Sequence, residues 1–387
     1  MLFILAKLIL AVLIIWPRGY LLAYVIDRSK NFSFGFKFFA GWIFGLAAFT
    51  IDLFSSNLFG GFKLHPWLFY FSAIGQVFGL EFVIFLFERK ILWPKFNNFM
   101  PFWQKQIANF SLWSKWQKII LAIIILTSLL WSVSAIWQNE SFGSANNANL
   151  IFRELFNRQE LSVVKTNPAW LNSVLGQYPP NDILVKIWFS TILGRLDISA
   201  IIFGSIFYYL MLLLVFYHAL PAGFDRSLKL LVTYLLSNLP VIYFLPNIAQ
   251  VEIFWAILVL LVIGCLFYYL VGLGNSFFYF SGMALAFAAW TKNDALMIFF
   301  PIMVAFSLVF LQKKKINYFQ LFIFWVFPVI TVFPWYSYLV LNKLNLFAWY
   351  SQSLATIDFK VFLTGFVPVG LLIATFYLNR FFVKIKV

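Results

Sequence analysis

FWAILVLLVIGCLFYYLV, residues 254–271, runs for 18 residues without a charged, amide or proline side chain. A helix needs about 20 mainly apolar residues to cross the hydrocarbon core of a bilayer. This stretch, extended by its neighbours, meets that length. The whole chain has the same character: of its 387 residues, 63% are hydrophobic and 11% charged. Soluble proteins average about a quarter charged. The composition is that of a polytopic membrane protein, all-α in fold class, because a helix satisfies its own backbone hydrogen bonds in lipid.

Working outward, similar runs predict helices at 4–26, 38–60, 67–87, 118–138, 198–219, 229–247, 252–272, 276–291, 295–312, 317–341 and 361–379. That makes about eleven crossings. Pro17 and Arg18 are expected to interrupt the first. The N-terminus lacks a basic leader and a small-residue cleavage site, so it reads as a retained helix. Residues 1–117 form an N-terminal block of helices closed by a linker, and 118–387 form a second module. The linker 88–118 mixes Lys with Trp and Phe and is expected to lie along the membrane surface.

The net charge of +15 would suggest nucleic acid in a soluble protein. Its placement points elsewhere. Arg28, Lys30, Lys37, Arg89, Lys90, Lys95, Lys105, Lys115, Lys118, Arg226, Lys229, Lys313, Lys314, Lys315, Arg380, Lys384 and Lys386 all fall in alternate connections. The positive-inside rule puts that face in the cytoplasm, with the N-terminus outside and the C-terminus inside, in a cell membrane. Topology and attraction to anionic lipid account for these bases, so membrane lipids are expected partners and nucleic acid is not. A single cysteine, Cys265, supplies no intrachain disulfide, and two histidines are too few for a His-based metal site. No cofactor is implied, and the need for a divalent metal stays open.

Segment 139–197 is the longest piece outside the expected spans, and loops of that length are usually functional. Residues 147–161 carry Leu150, Phe152, Leu155 and Phe156 at helical spacing, with Arg153, Glu154, Arg158 and Glu160 between them. That pattern predicts an interfacial helix. ILVKIWFSTILG, 183–194, reads as a second one. On the same face lie Glu140, Glu252, Lys292 and Asp294. Cations with a nearby carboxylate suit a lipid-linked phosphate substrate, the cations holding phosphate and the carboxylate deprotonating a hydroxyl. Asp52 and Glu81 fall inside spans, where an acid costs about 3 kcal/mol. They are expected to pair with each other, to be protonated, to face a polar cavity, or to sit hydrogen-bonded near a helix end.

Three elements together resemble the GT-C glycosyltransferases, in particular bacterial relatives of the dolichyl-phosphate-mannose–protein mannosyltransferases. GQYPPND, 176–182, resembles their Tyr-Pro element where the first external loop returns to the membrane; AAWTKNDAL, 288–296, looks like their Ala-Trp-Thr-Lys-Asn-Glu-Gly element; and Pro334-Trp335 resembles a late Pro-Trp pair. The resemblance covers about residues 118–345 by the motifs' positions. It implies transfer of a sugar from a polyprenyl-phosphate donor to a glycan, lipid or protein acceptor at the outer face, with inversion. It implies Glu140 as general base, Lys292 or Arg153 as phosphate contacts beside Asp294, and Tyr178 and Trp170 as sugar-stacking rings. Two departures stand out: WQNESFGSANNANLIF has Glu140 as its one carboxylate, and PNIAQVEIF has Gln250 where an acid is usual, with Glu252 two residues on. The competing readings are a transporter or flippase using Asp52 and Glu81, a degenerate binder of lipid-linked sugar, and a non-catalytic scaffold.

Overall fold

The structure is a computed structural model that describes residues 2–27, 31–88, 99–142, 152, 155–157, 159, 179–220, 224–239, 250–293, 295, 300–312 and 316–341. Its helices are α1 (Leu2–Ile26), α2 (Phe34–Gly60), α3 (Pro66–Glu88), α4 (Phe99–Ser111), α5 (Lys115–Phe142), α6 (Asn181–Leu193), α7 (Ile198–Ala219), α8 (Arg226–Ser237), α9 (Gln250–Leu270), α10 (Asn275–Thr291), α11 (Phe300–Gln312) and α12 (Tyr318–Leu341). No strand occurs among the described residues. Seven of these helices, α1, α2, α3, α5, α7, α9 and α12, are long and apolar enough to cross a membrane. The chain is an integral membrane protein of helical architecture.

The other four expected spans divide into two kinds. Residues 276–291, 295–312 and 229–247 correspond to α10, α11 and α8, which have 17, 13 and 12 residues. Among the described residues each is shorter than the ~20 residues that a perpendicular crossing needs, and residues 240–247 and 296–299 of these stretches lie outside the described residues. The span expected at 361–379 lies outside the described residues.

α1 is not interrupted at Pro17. Proline in a helix interior loses one backbone hydrogen bond, and here packing holds the helix together. Gly19 faces Gly41 and Gly45 of α2 so closely that a Cβ on Gly19 would stand 1.8 Å from the Gly41 carbonyl oxygen. Trp16 adds a hydrogen bond from its indole to the Phe38 carbonyl at 3.0 Å. Small residues that let two backbones approach are the usual helix contact in lipid, where apolar side chains gain little by meeting one another. Arg18 is paired as well, its guanidinium meeting the Asp52 carboxylate. Asp52 therefore pairs with Arg18 across the α1–α2 contact, and not with Glu81.

Local sequence sets several helix starts. Ser114 and Gln117 exchange side-chain-to-backbone hydrogen bonds at the start of α5, as Asn317 and Gln320 do before α12. Both are capping boxes, which satisfy otherwise orphan N–H groups. Asp197 and Asp225 cap α7 and α8. Between α1 and α2, the fully buried Asp27 accepts from the Asn31 and Phe32 backbone N–H groups and from Lys37 at 2.9 Å. Lys37 thus belongs to a folded turn and not to a free basic surface.

α2 is the central column, contacted by α1, α3, α6, α7, α10 and α12. Aromatic rings fill the spaces around it: Phe44 stacks on Phe280 at 4.4 Å and meets Phe287 edge-on at 5.0 Å. Further out, Trp131 of α5 stacks on Tyr209 of α7 at 4.1 Å, and Phe278 of α10 on Phe324 of α12 at 4.7 Å. The outward faces of α3 and α5 stay apolar and exposed, as lipid-facing surfaces do: Phe71, Phe78 and Phe82 on one, Ile123, Leu126 and Leu130 on the other.

Helix α6 corrects the expectation for 183–194. The segment is helical but buried, packed against α1, α2, α7 and α10. Trp188 donates to the Ala11 carbonyl at 3.0 Å and packs on Phe49 and Phe69. An interfacial helix keeps its polar face in water. Here even Asp182 and Lys186 are buried, and they neutralise each other at 2.6 Å.

Candidate functional site at the Gly60 end of the bundle

The C-terminal half of α2 shares its level with the last turn of α10, the first turn of α9 and the start of α6, through contacts made by Thr50, Thr291, Glu252 and Asn181. Thr50 and Asn181 are side chains on α2 and α6, brought together from positions 131 apart. The Thr50 hydroxyl lies 2.6 Å from Asn181 Oδ1 and 2.9 Å from the Ala47 carbonyl, and its one proton serves one of them at a time. The same oxygen accepts from Trp290 Nε1 at 2.9 Å. Asn181 Nδ2 donates to Thr291 Oγ1 at 3.0 Å. All four residues are buried. A satisfied buried network of this kind rigidifies what it joins, and this one ties α6 to α2 and α10.

Thr291 ends α10, and the next residue, Lys292, turns into extended backbone while its N–H closes the helix on Ala288 at 3.0 Å. That turn directs the side chain of Lys292 to α9. Its Nζ meets Glu252 Oε1 at 3.2 Å and lies 5.8 Å from the centre of the Trp255 ring. Lys292 is 9% exposed, whereas the Glu252 side chain is 36% exposed. The cation is thus held inside the bundle with a carboxylate at its open side.

The structure brings together two of the sequence-predicted site residues, Lys292 and Glu252. Glu140 lies in the last turn of α5, whose chain direction carries it to the same end: α5 starts beside α8 through a hydrogen bond from Gln117 to Ser227 at 3.0 Å, and α8 follows the end of α7 at which His218 packs on Phe39. Part of the segment expected to form the first interfacial helix is also there. Phe152 and Leu155 are buried in the main core, and the Gln159 carbonyl accepts from the Leu64 N–H at 2.6 Å in the α2–α3 connection. Arg153, Trp170, Tyr178 and Asp294 lie outside the described residues. Thr50, Asn181 and Thr291 were not singled out in the sequence, and Asp182 and Lys186 count there as charges on the outer face without being paired. Threonine and asparagine carry no periodic or charge signal, and only the meeting of three helices makes them a cluster.

Among the described residues, no three His, Cys, Asp or Glu side chains come together in a way that could hold a metal ion. Outside the spans, Asp197 at the start of α7 is held below the usual carboxylate range. Burial pushes its carboxyl up, but hydrogen bonds from Ser199 and Arg195 outweigh that.

Fold and site define a class: a helical integral membrane protein with a buried polar cluster and an ion pair at one end of the bundle. In comparison with known proteins, the chain matches no protein-family model, no curated protein and no solved structure.

Proposed function

We propose that the protein is a membrane glycosyltransferase of GT-C type that moves a sugar from a polyprenyl-phosphate donor to an envelope acceptor hydroxyl, with inversion at the anomeric carbon. The observation that carries the reading is the meeting of Lys292 and Glu252 beside Trp255. Lys292 comes from AAWTKNDAL, which resembles a glycosyltransferase element, and Glu252 from PNIAQVEIF, which departs from the family pattern by having Gln250 where an acid is usual. By the positive-inside rule their end of the bundle faces out, where a lipid-linked donor would present its sugar.

In this mechanism a carboxylate, Glu140, takes the proton from the acceptor hydroxyl as its oxygen attacks the anomeric carbon. The bond from that carbon to the donor phosphate breaks with the electron pair going to the phosphate oxygen. Lys292 holds the growing negative charge, and a preorganised cation in a dry site stabilises such charge without reorganising. Glu252 positions Lys292 and Trp255 offers an apolar ring face to the sugar. Arg153, Asp294, Tyr178 and Trp170 complete the proposed contacts with phosphate and sugar.

The test is transfer of labelled sugar from polyprenyl-phosphate donors by membranes carrying the wild type, Lys292→Met, Glu252→Gln or Glu140→Gln. The expected outcome is transfer by the wild type and a loss of about 100-fold or more for Lys292→Met, the scale for removing one charge-stabilising donor. Absence of wild-type transfer with every donor tried would overturn the reading. Undiminished transfer by Glu140→Gln would remove only that residue's role.

A further inference from the structure

Helix α4 leaves half of its apolar arc uncovered. Phe102 and Trp103 pack onto α2, against Phe34 at 4.9 Å and Phe38 at 6.1 Å. Met100, Ile107 and Phe110, on the same apolar arc, remain exposed, Ile107 at 71%. The turn after α4 continues the pattern with Leu112, 80% exposed, and Trp116, 74% exposed.

These residues are not an isolated patch. Leu112, Trp116, Ile119, Ile123, Leu126, Leu130 and Val133 follow one another at spacings of three and four, and every one is exposed. Such spacing places residues on one face of a helix. From Trp116 onward that face belongs to α5, a helix long and apolar enough to cross a membrane. The apolar surface of the corner is therefore continuous with the surface that α5 turns to lipid. The corner itself is fixed: Trp113 stacks under the Arg226 guanidinium at 5.0 Å, and Lys118 lies over Phe110 at 5.5 Å while donating to the Ser111 carbonyl. Charge follows the same line. Lys105, Lys115 and Lys118 flank the exposed apolar residues, and α4, Phe99–Ser111, has no acidic residue.

We propose that α4 and the Leu112–Trp116 corner form an arm that docks on an anionic lipid leaflet, at the end of the bundle where α2 begins. Met100, Ile107, Leu112 and Trp116 enter the boundary between headgroups and acyl chains, and the three lysines meet lipid phosphates. An amphipathic helix with a basic flank binds a surface in this way, by apolar burial plus attraction to anionic headgroups. A lysine near such a surface is worth about a five-fold change in the docked-to-undocked ratio.

The test uses the full chain in nanodiscs, with Cys265→Ser and a fluorescent label on Ile107→Cys or, on the polar side of α4, Lys105→Cys. Nitroxide-bearing phosphatidylcholine is the quencher, with and without phosphatidylglycerol. The Ile107→Cys label should be quenched by the lipid and the Lys105→Cys label by a water-soluble quencher, with stronger lipid quenching when phosphatidylglycerol is present. With the Ile107→Cys label in place, the triple change of Lys105, Lys115 and Lys118 to Gln should lower the docked ratio by about five-fold per lysine and remove the preference for phosphatidylglycerol. Equal access of water to both labels in both lipids would overturn the proposal. So would cross-linking between copies through Ile107→Cys with no lipid quenching, which would assign the face to a second copy.

Discussion

Arg18 shows how a single residue changes meaning once its surroundings are known. In the chain it stands after Pro17, within an apolar run, as a reason to break the helix. In the fold it is 5% exposed and its charge is met by Asp52. Removing one member of a buried pair leaves an uncompensated charge, at a cost of about 3–5 kcal/mol, whereas replacing both by apolar residues is often neutral. Arg18→Met should therefore destabilise strongly, and Arg18→Met with Asp52→Leu should recover most of the loss. Reaction of the buried Cys265 with a thiol dye during heating in detergent reads this out. Equal destabilisation by the single and double variants would mean that the pair does not neutralise itself. Asn181→Ala, which strips partners from the buried Thr50 and Thr291 hydroxyls, should cost about 1–3 kcal/mol by the same assay. Lys292 stood out in the sequence as a candidate because charge is rare in this chain. Glu252 was legible as a charge on the same face but not as its partner, since the two residues, 40 positions apart, meet only through the α9–α10 hairpin.

At the scale of elements, length and caps do most of the work. α1 and α2 cross closely because Gly19, Gly41 and Gly45 present no side chains. A Cβ on Gly45 would approach the Ile15 carbonyl oxygen to 2.7 Å. Gly45→Ala should cost about 1–3 kcal/mol through overpacking, with Gly19→Ala worse, and an unchanged unfolding temperature for Gly45→Ala would contradict this packing. α8 offers a pH test. The Ser227 side chain and backbone N–H hold the Asp225 carboxyl below the usual carboxylate range. A depressed carboxyl contributes stability above its unfolded pKa of about 3.9 and loses it as pH falls through the folded value. Asp225→Ala should cost about 1 kcal/mol near neutrality, as lost caps do. The gap between wild type and variant should narrow in acid. A gap that widens in acid would contradict the assignment. Most helices were legible from apolar run length, within a few residues at each end. α6 was legible as a helix but not as a buried one, because ILVKIWFSTILG carries a lysine that reads as surface until Asp182 is placed one turn away.

The whole molecule has two chemically different ends. One holds the turn after α1, the α9–α10 connection and the α4 corner; the other holds the α2–α3 connection, the Thr50–Asn181–Thr291 network and the Lys292–Glu252 pair. Accessibility can tell them apart in intact cells on a Cys265→Ser background. Lys63→Cys, in the α2–α3 connection, should react with an impermeant thiol reagent from outside, and Leu273→Cys, between α9 and α10, only after lysis. The opposite result would invert the orientation and move the proposed site to the cytoplasm. The sequence by itself determined that this is a helical membrane protein, because run length and hydropathy are local quantities that the bilayer thickness converts directly into crossings. It also determined the charge asymmetry between alternate connections. Only the tertiary structure decided which polar residues inside those crossings meet. Arg18 finds Asp52, Asn181 finds Thr50 and Thr291, and Lys292 finds Glu252 because a polar group buried away from water must be satisfied by whatever the neighbouring helix presents, and no local pattern specifies which helix is the neighbour.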